Sequence, residues 1–179
     1  MNQSIARSRY LAGGALVYAF VSAVWLVITY FVGEVNGRLL LITAVPLLLI
    51  LVMSALVSLR RPQKRQAAPQ SEAELGKWFG IIFSAEGVAI GVSSGILAAL
   101  GLAAWIPPAV ALIVGLHFLP LGHLLQLPSD YLLGGAIILL VLLTVALAPT
   151  ANWGMLVGLG TSALLWLAGW GRLWAARQT

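Results

Sequence analysis

Cysteine is absent from this chain, and charge is nearly so. Without cysteine there are no disulfides, no thiolate metal ligands and no covalent cysteine chemistry. The shortage of charge excludes more. A soluble domain carries about 25% charged and ~45–50% apolar residues, whereas here the fractions are 8% and 61% of 179 residues. Such a chain cannot cover itself with groups that water solvates. Acids are the scarcest: Glu34, Glu72, Glu74, Glu86 and Asp130 are all there are. Alternating strand-length segments are missing too, which argues against a membrane β-barrel.

What is present is long apolar sequence. Residues 10–33, 39–59, 87–129 and 131–171 carry no formal charge, and the last two runs are long enough for two helices each. A helix needs roughly 20 apolar residues to cross the hydrocarbon layer. The reading is an all-α, polytopic integral membrane protein: one domain over 1–179, a bundle of six transmembrane helices. The spans are expected near 10–32, 38–59, 78–104, 107–126, 130–148 and 153–174. "GEVNG" at 33–37, "WIPP" at 105–108, "LPSD" at 127–130 and "APTANW" at 148–153 supply the breaks. Pro107 and Pro108 suit a first helical turn, and Ser129 and Asp130 are expected as caps. The polar connection 60–77 ends in "SEAELGKW", read as a short surface helix leading into the third span.

Basic residues give the direction. With a cytoplasmic N-terminus, Arg7, Arg9, Arg60, Arg61, Lys64, Arg65, Lys77, Arg172 and Arg177 lie inside, and only Arg38 lies outside. Lys and Arg favour cytoplasmic loops, so both termini and the 60–77 loop are expected there, in a bacterial-type inner membrane. This also accounts for the net charge of +5 without nucleic acid as a partner. The apolar run after Arg9 is longer than a signal-peptide core. Membrane lipids are the expected surroundings, with a second copy or a partner membrane protein as the expected macromolecular contact.

Small residues form a stripe along the third span: Gly80, Ser84, Gly87, Gly91, Ser94, Ala98 and Gly101, at alternating steps of four and three. Helices in lipid associate by close packing, which small residues permit, so this span is expected at the centre of the bundle. The sixth carries a shorter set, Gly154, Gly158, Thr161 and Ser162.

The polar residues left inside spans are the candidate pathway: Glu86, His117, His123 and Asp130. An intramembrane ionisable group is expensive and usually faces the bundle interior or water. Counting from the turn at 105–106 at ~1.5 Å per residue puts His117 about 17 Å deep, His123 ~26 Å and Glu86 ~29 Å. Glu86, His123, Gln126 and Asp130 are therefore expected in one cytoplasm-facing layer, with Glu86 and His123 as a coupled pair and His117 beyond them. Pro120 cannot donate to the carbonyl of Leu116, which leaves a polar niche beside His117.

Bland alternatives stand beside each: Glu86 as an interfacial acid, Asp130 as a cap, His123 reaching the headgroups, His117 as a satisfied core histidine. Zinc on His123, Glu86 and Asp130 would draw its ligands from three helices. Enzyme motifs such as HExxH, G-x-S-x-G or a P-loop are missing, and no cofactor is expected. The leading function is a small transporter or channel with a polar, proton-coupled vestibule. A non-transporting scaffold packing through its small-residue faces comes second, and a lipid-modifying enzyme third.

Overall fold

A computed structural model describes residues 3–32, 45, 49–54, 56 and 71–178. Every regular element among them is a helix: α1 (Gln3–Val32), α2 (Ser71–Ala99), α3 (Ile106–Leu125), α4 (Pro128–Leu147) and α5 (Trp153–Gln178). Two short 3-10 helices, Ala103–Trp105 and Thr150–Asn152, precede α3 and α5. Four helical segments, Gly76–Ala99, Ala103–Leu125, Pro128–Leu147 and Thr150–Ala175, are long and apolar enough to cross a membrane. The expected second span, 38–59, falls mostly outside the described residues, as does the loop from 60 to 70.

Three boundaries differ from the sequence reading, each for a local reason. The third span does not reach 104. It stops at Ala99, because Gly101 adopts φ +73° and reverses the chain. The Leu102 amide donates to the Leu97 carbonyl at 2.8 Å, and the Gly101 amide to Ala98 at 3.1 Å. That pair of bonds is the Schellman stop, for which glycine carries no Cβ penalty. At its other end α2 runs unbroken from Ser71, so "SEAELGKW" is the first part of the span helix rather than a separate one. The third difference lies at α4, where the N-cap is Leu127 and makes no side-chain cap. Pro128 occupies the first helical position, which its fixed φ suits, and Ser129 and Asp130 follow inside the first turn rather than capping it.

The chain divides into two compact units. The unit spanning 66–160 is built on α3, which packs against both α2 and α4. Its buried Pro107, Ala111, Val114, Phe118 and Leu121 recur at steps of four and three, as do Asp130, Gly134, Ile137, Val141 and Thr144 on α4. The two helices that carry these stripes pack on each other. Gly115 and Gly134 bring the backbones together: a Cβ on Gly134 would lie 2.6 Å from the Gly115 carbonyl oxygen. Gly122 takes the ring of Tyr131, which a Cβ there would meet at 3.1 Å. Trp105 and Trp153 pack edge to face at 4.7 Å, and the Trp153 indole donates to the Ala148 carbonyl at 3.0 Å. Gly154 and Gly158 are buried.

The other unit joins α1 to residues 161–178 of α5. Ala15, Ala19, Leu51 and Leu173 form its apolar centre, with Trp166 and Trp170 against them. Ser22 and Ser162 clasp reciprocally: their hydroxyls lie 2.7 Å apart and each donates to the other's carbonyl, at 3.1 and 3.2 Å. The buried Arg172 guanidinium lies over the Tyr18 ring at 4.4 Å, a cation–π contact, in space that Gly14 leaves open.

Candidate functional site

The site is built on α2 and α3. On α2 the partly buried residues Phe79, Ile82, Phe83, Glu86, Ile90, Ser93 and Leu97 share one face, at steps of three and four around Phe83. Glu86 therefore points where α3 packs. On α3, His117 lies one residue from Phe118 and one turn before Pro120. Its Nδ1 meets Oε2 of Glu86 as an ion-pair contact. Both side chains are withdrawn from the surface, His117 to 7% and Glu86 to 12% exposure.

Aromatic rings enclose the imidazole. Phe83 meets it edge to face at 4.7 Å, and Phe118 lies tilted against it at 5.1 Å. Phe79 stacks behind Phe83, again at 4.7 Å. Both ring nitrogens of His117 are buried, and neither completes a hydrogen bond among the described residues, Nδ1 despite its contact with Glu86. A buried polar atom left so costs about 1–3 kcal/mol, and such an atom calls for a functional account.

The glutamate's partner is thus His117 and not His123, the pairing expected from depth. The Schellman stop explains the change. The depth count treated residues 100–105 as helix, whereas α2 ends at Ala99. Glu86 lies thirteen residues below that end, ~20 Å at 1.5 Å per residue, and His117 lies eleven residues below Ile106, ~17 Å. Removing six residues of imagined rise raises Glu86 by about 9 Å, from the level of His123 to that of His117.

The expected layer of Glu86, His123, Gln126 and Asp130 is accordingly split. His123 is exposed, and its carbonyl accepts from the Gln126 side chain at 2.8 Å. Gln126 turns the chain out of α3 at φ 52°, the left-handed region that a non-glycine residue enters at a cost of ~1 kcal/mol. Asp130 is buried at 1% exposure, with the Ser129 hydroxyl 3.4 Å from Oδ1. It sits in the first turn of α4, where a negative charge suits the helix dipole. Among the described residues no three His, Asp or Glu side chains are grouped as metal ligands, so the zinc arrangement of His123, Glu86 and Asp130 is not formed.

Phe83 escaped the sequence reading. It stands three residues before Glu86, hence on the same face, and that spacing was the available signal. Phe118, beside the histidine, carried none.

The chain matches no protein-family model, no curated protein and no solved structure. The chemistry of the Glu86–His117 pair must speak for itself.

Proposed function

We propose that this chain is a small transporter or channel of a bacterial-type inner membrane, with the Glu86–His117 pair as the polar point on its path. The reading includes six spans with both termini and the 60–77 connection cytoplasmic. One observation carries the functional part: a carboxylate and an imidazole are held in contact between two apolar helices, with neither buried ring nitrogen hydrogen-bonded among the described residues. Keeping an ionisable group at that depth costs at least about 2.5–3.5 kcal/mol per charge. A bundle that only had to pack would be served as well or better by two apolar side chains of the same volume.

The test is flux. Purified protein in proteoliposomes should show pH-dependent transport that Glu86→Gln and His117→Ala each abolish while the protein stays folded and monodisperse. A purely structural pair would instead lower folded yield and leave activity per folded molecule unchanged. Topology is checked separately in intact cells with an impermeant thiol reagent. Asn36→Cys should label and Ala68→Cys should not; both positions lie outside the described residues.

A second reading, a non-transporting scaffold or accessory subunit, is favoured by a different observation. Gly80, Gly87, Gly91 and Gly95 on α2 have nothing within 4 Å of an added Cβ, so a small-residue face stands open among the described residues. Absence of any flux, together with co-purification of a second membrane protein lost on Gly87→Leu, would favour that reading.

A further inference from the structure

The two ring nitrogens of His117 differ in what they face. Nδ1 is in ion-pair contact with a carboxylate oxygen and Nε2 is not, although both are buried and neither completes a hydrogen bond among the described residues. We infer that Nε2 of His117 is the atom at which this site takes up and releases a proton, with Glu86 the positioning residue that keeps it so. The inference deepens the transport reading by naming the coupling ion and the atom that carries it.

The proton count leads there. With its proton on the nitrogen that touches the Glu86 carboxylate, the neutral ring of the unloaded pair has its lone pair on Nε2. Within the Nδ1–Oε2 contact one added proton has two places to settle. It can stay on Nε2 as an imidazolium facing a carboxylate. Alternatively the Nδ1 proton passes to Oε2, giving a neutral glutamic acid that donates to Nδ1 and a neutral ring protonated on Nε2. The two loaded forms hold the same number of protons and differ only inside the pair, as coupled sites do. In both, Nε2 carries a proton that the unloaded pair lacks. Loading through the contact therefore changes Nε2 whichever partner holds the charge, whereas a proton taken by Oε1 of Glu86 would leave Nε2 bare and overturn the assignment.

The groups around the ring support that assignment. From α2 the charged neighbour is Glu86, and Lys77 stands nine residues away along the helix, ~14 Å. From α4 the titratable groups are Asp130 and Tyr131, and Tyr131 packs on Gly122, five residues further along α3. The remaining ring contacts, Phe83 and Phe118, offer no hydrogen-bonding atom. Nδ1 is thus tied to one oxygen, and Nε2 is left for a donor that arrives from outside the pair.

The test reads the proton directly, so it is independent of flux. The chain has only two histidines, and His123→Gln removes the exposed one, leaving the His117 ring as the sole imidazole signal. The whole chain with 15N-labelled histidine, in lipid nanodiscs, is followed by NMR from alkaline to acid pH. The expected spectrum at the alkaline end has Nδ1 protonated and Nε2 with the shift of an unprotonated ring nitrogen; towards the acid end Nε2 becomes protonated. Glu86→Gln should lose the Nδ1–H preference at alkaline pH. Nε2 protonated throughout, or Nδ1 bare in the unloaded protein, would overturn the assignment, and so would a Glu86→Gln spectrum identical to that of the unsubstituted chain. If Glu86→Gln fails to fold, the spectrum of the unsubstituted ring still decides. The expected spectrum without any flux would retain the proton site and sink the transport reading; flux with a bare Nδ1 would do the reverse.

Discussion

Glycines sit on α2 and on the α3–α4 pair in comparable number, yet they do different things. On α2 the small residues are regular, at steps of four and three over five turns, and among the described residues nothing lies within 4 Å of a Cβ added at Gly80, Gly87 or Gly91. On α3 and α4 they are irregular, and Gly115 and Gly134 are where two backbones touch. Regular spacing describes a face, whereas packing needs a partner placed opposite it. The packed face of α2 is another one, that of Phe79, Phe83, Glu86, Ile90 and Leu97, about 100° around the helix from the small stripe. The helix thus turns its bulky and polar side towards α3, which brings Glu86 to His117. With the small stripe in the contact instead, the helices would sit closer and the glutamate would leave the site.

The sharpest way to break this comparison is at the real seam. Gly134→Ala puts a methyl group 2.6 Å from the Gly115 carbonyl oxygen and 3.1 Å from Cβ of Phe118. Neither atom is the free end of a flexible side chain, so the helices must separate. Overpacking of this kind costs about 1–3 kcal/mol, and with backbone as the obstacle the upper end, ~3 kcal/mol, is expected. Thermal unfolding in detergent should show it. Because α3 also carries His117, the same substitution should disturb the pair. An unchanged melting temperature would mean that the α3–α4 contact is looser than these distances require.

Gly101 belongs to the α2 stripe by spacing but not by role. Its surroundings are open, like those of Gly91, yet its φ of +73° is one that side chains with a Cβ resist. Gly101→Ala should therefore cost about 1 kcal/mol, through backbone strain rather than packing. Differential unfolding against Gly91→Ala, which lacks the backbone term, isolates it; equal losses would remove the conformational argument.

That glycine also marks the limit of what the sequence made legible. Four of the apolar helices stand within a few residues of their expected positions, because hydrophobic length is a strong signal. The ionisable residues worth attention could be picked out for the same reason, since few acids or histidines survive in such a chain. Their pairing could not be read correctly while Gly101 was counted as a stripe member. Read as a helix stop, "ALGL" at 99–102 would have shortened the span and set Glu86 level with His117. The Gly115–Gly134 seam had no comparable cue. One small residue on each of two helices becomes a contact only once both helix rotations are fixed, and those depend on all the side chains between them. The Ser22–Ser162 clasp, linking residues 140 apart, was hidden for that reason too.

The smallest expected effect tests the other side of the comparison. Gly91→Leu would be disruptive if the α2 stripe lay at the centre of the bundle. With nothing within 4 Å of an added Cβ among the described residues, the leucine has room, and Val88 and Val92 beside it already stand exposed. A substitution at an open position changes stability by no more than about 0.5 kcal/mol, and Leu is a better helix former than Gly by roughly 0.8 kcal/mol. The variant should unfold at the same temperature as the parent or slightly above it, and the Glu86–His117 pair, on another face, should be undisturbed. Gly80→Leu and Gly87→Leu should behave alike, since their surroundings are equally open. A loss of 2 kcal/mol or more, on the order expected of overpacking, would mean that a helix covers the stripe in the folded protein. Measured across protein dilution, that loss would also identify the cover: a concentration-dependent effect points to a second copy, and a concentration-independent one to the same chain.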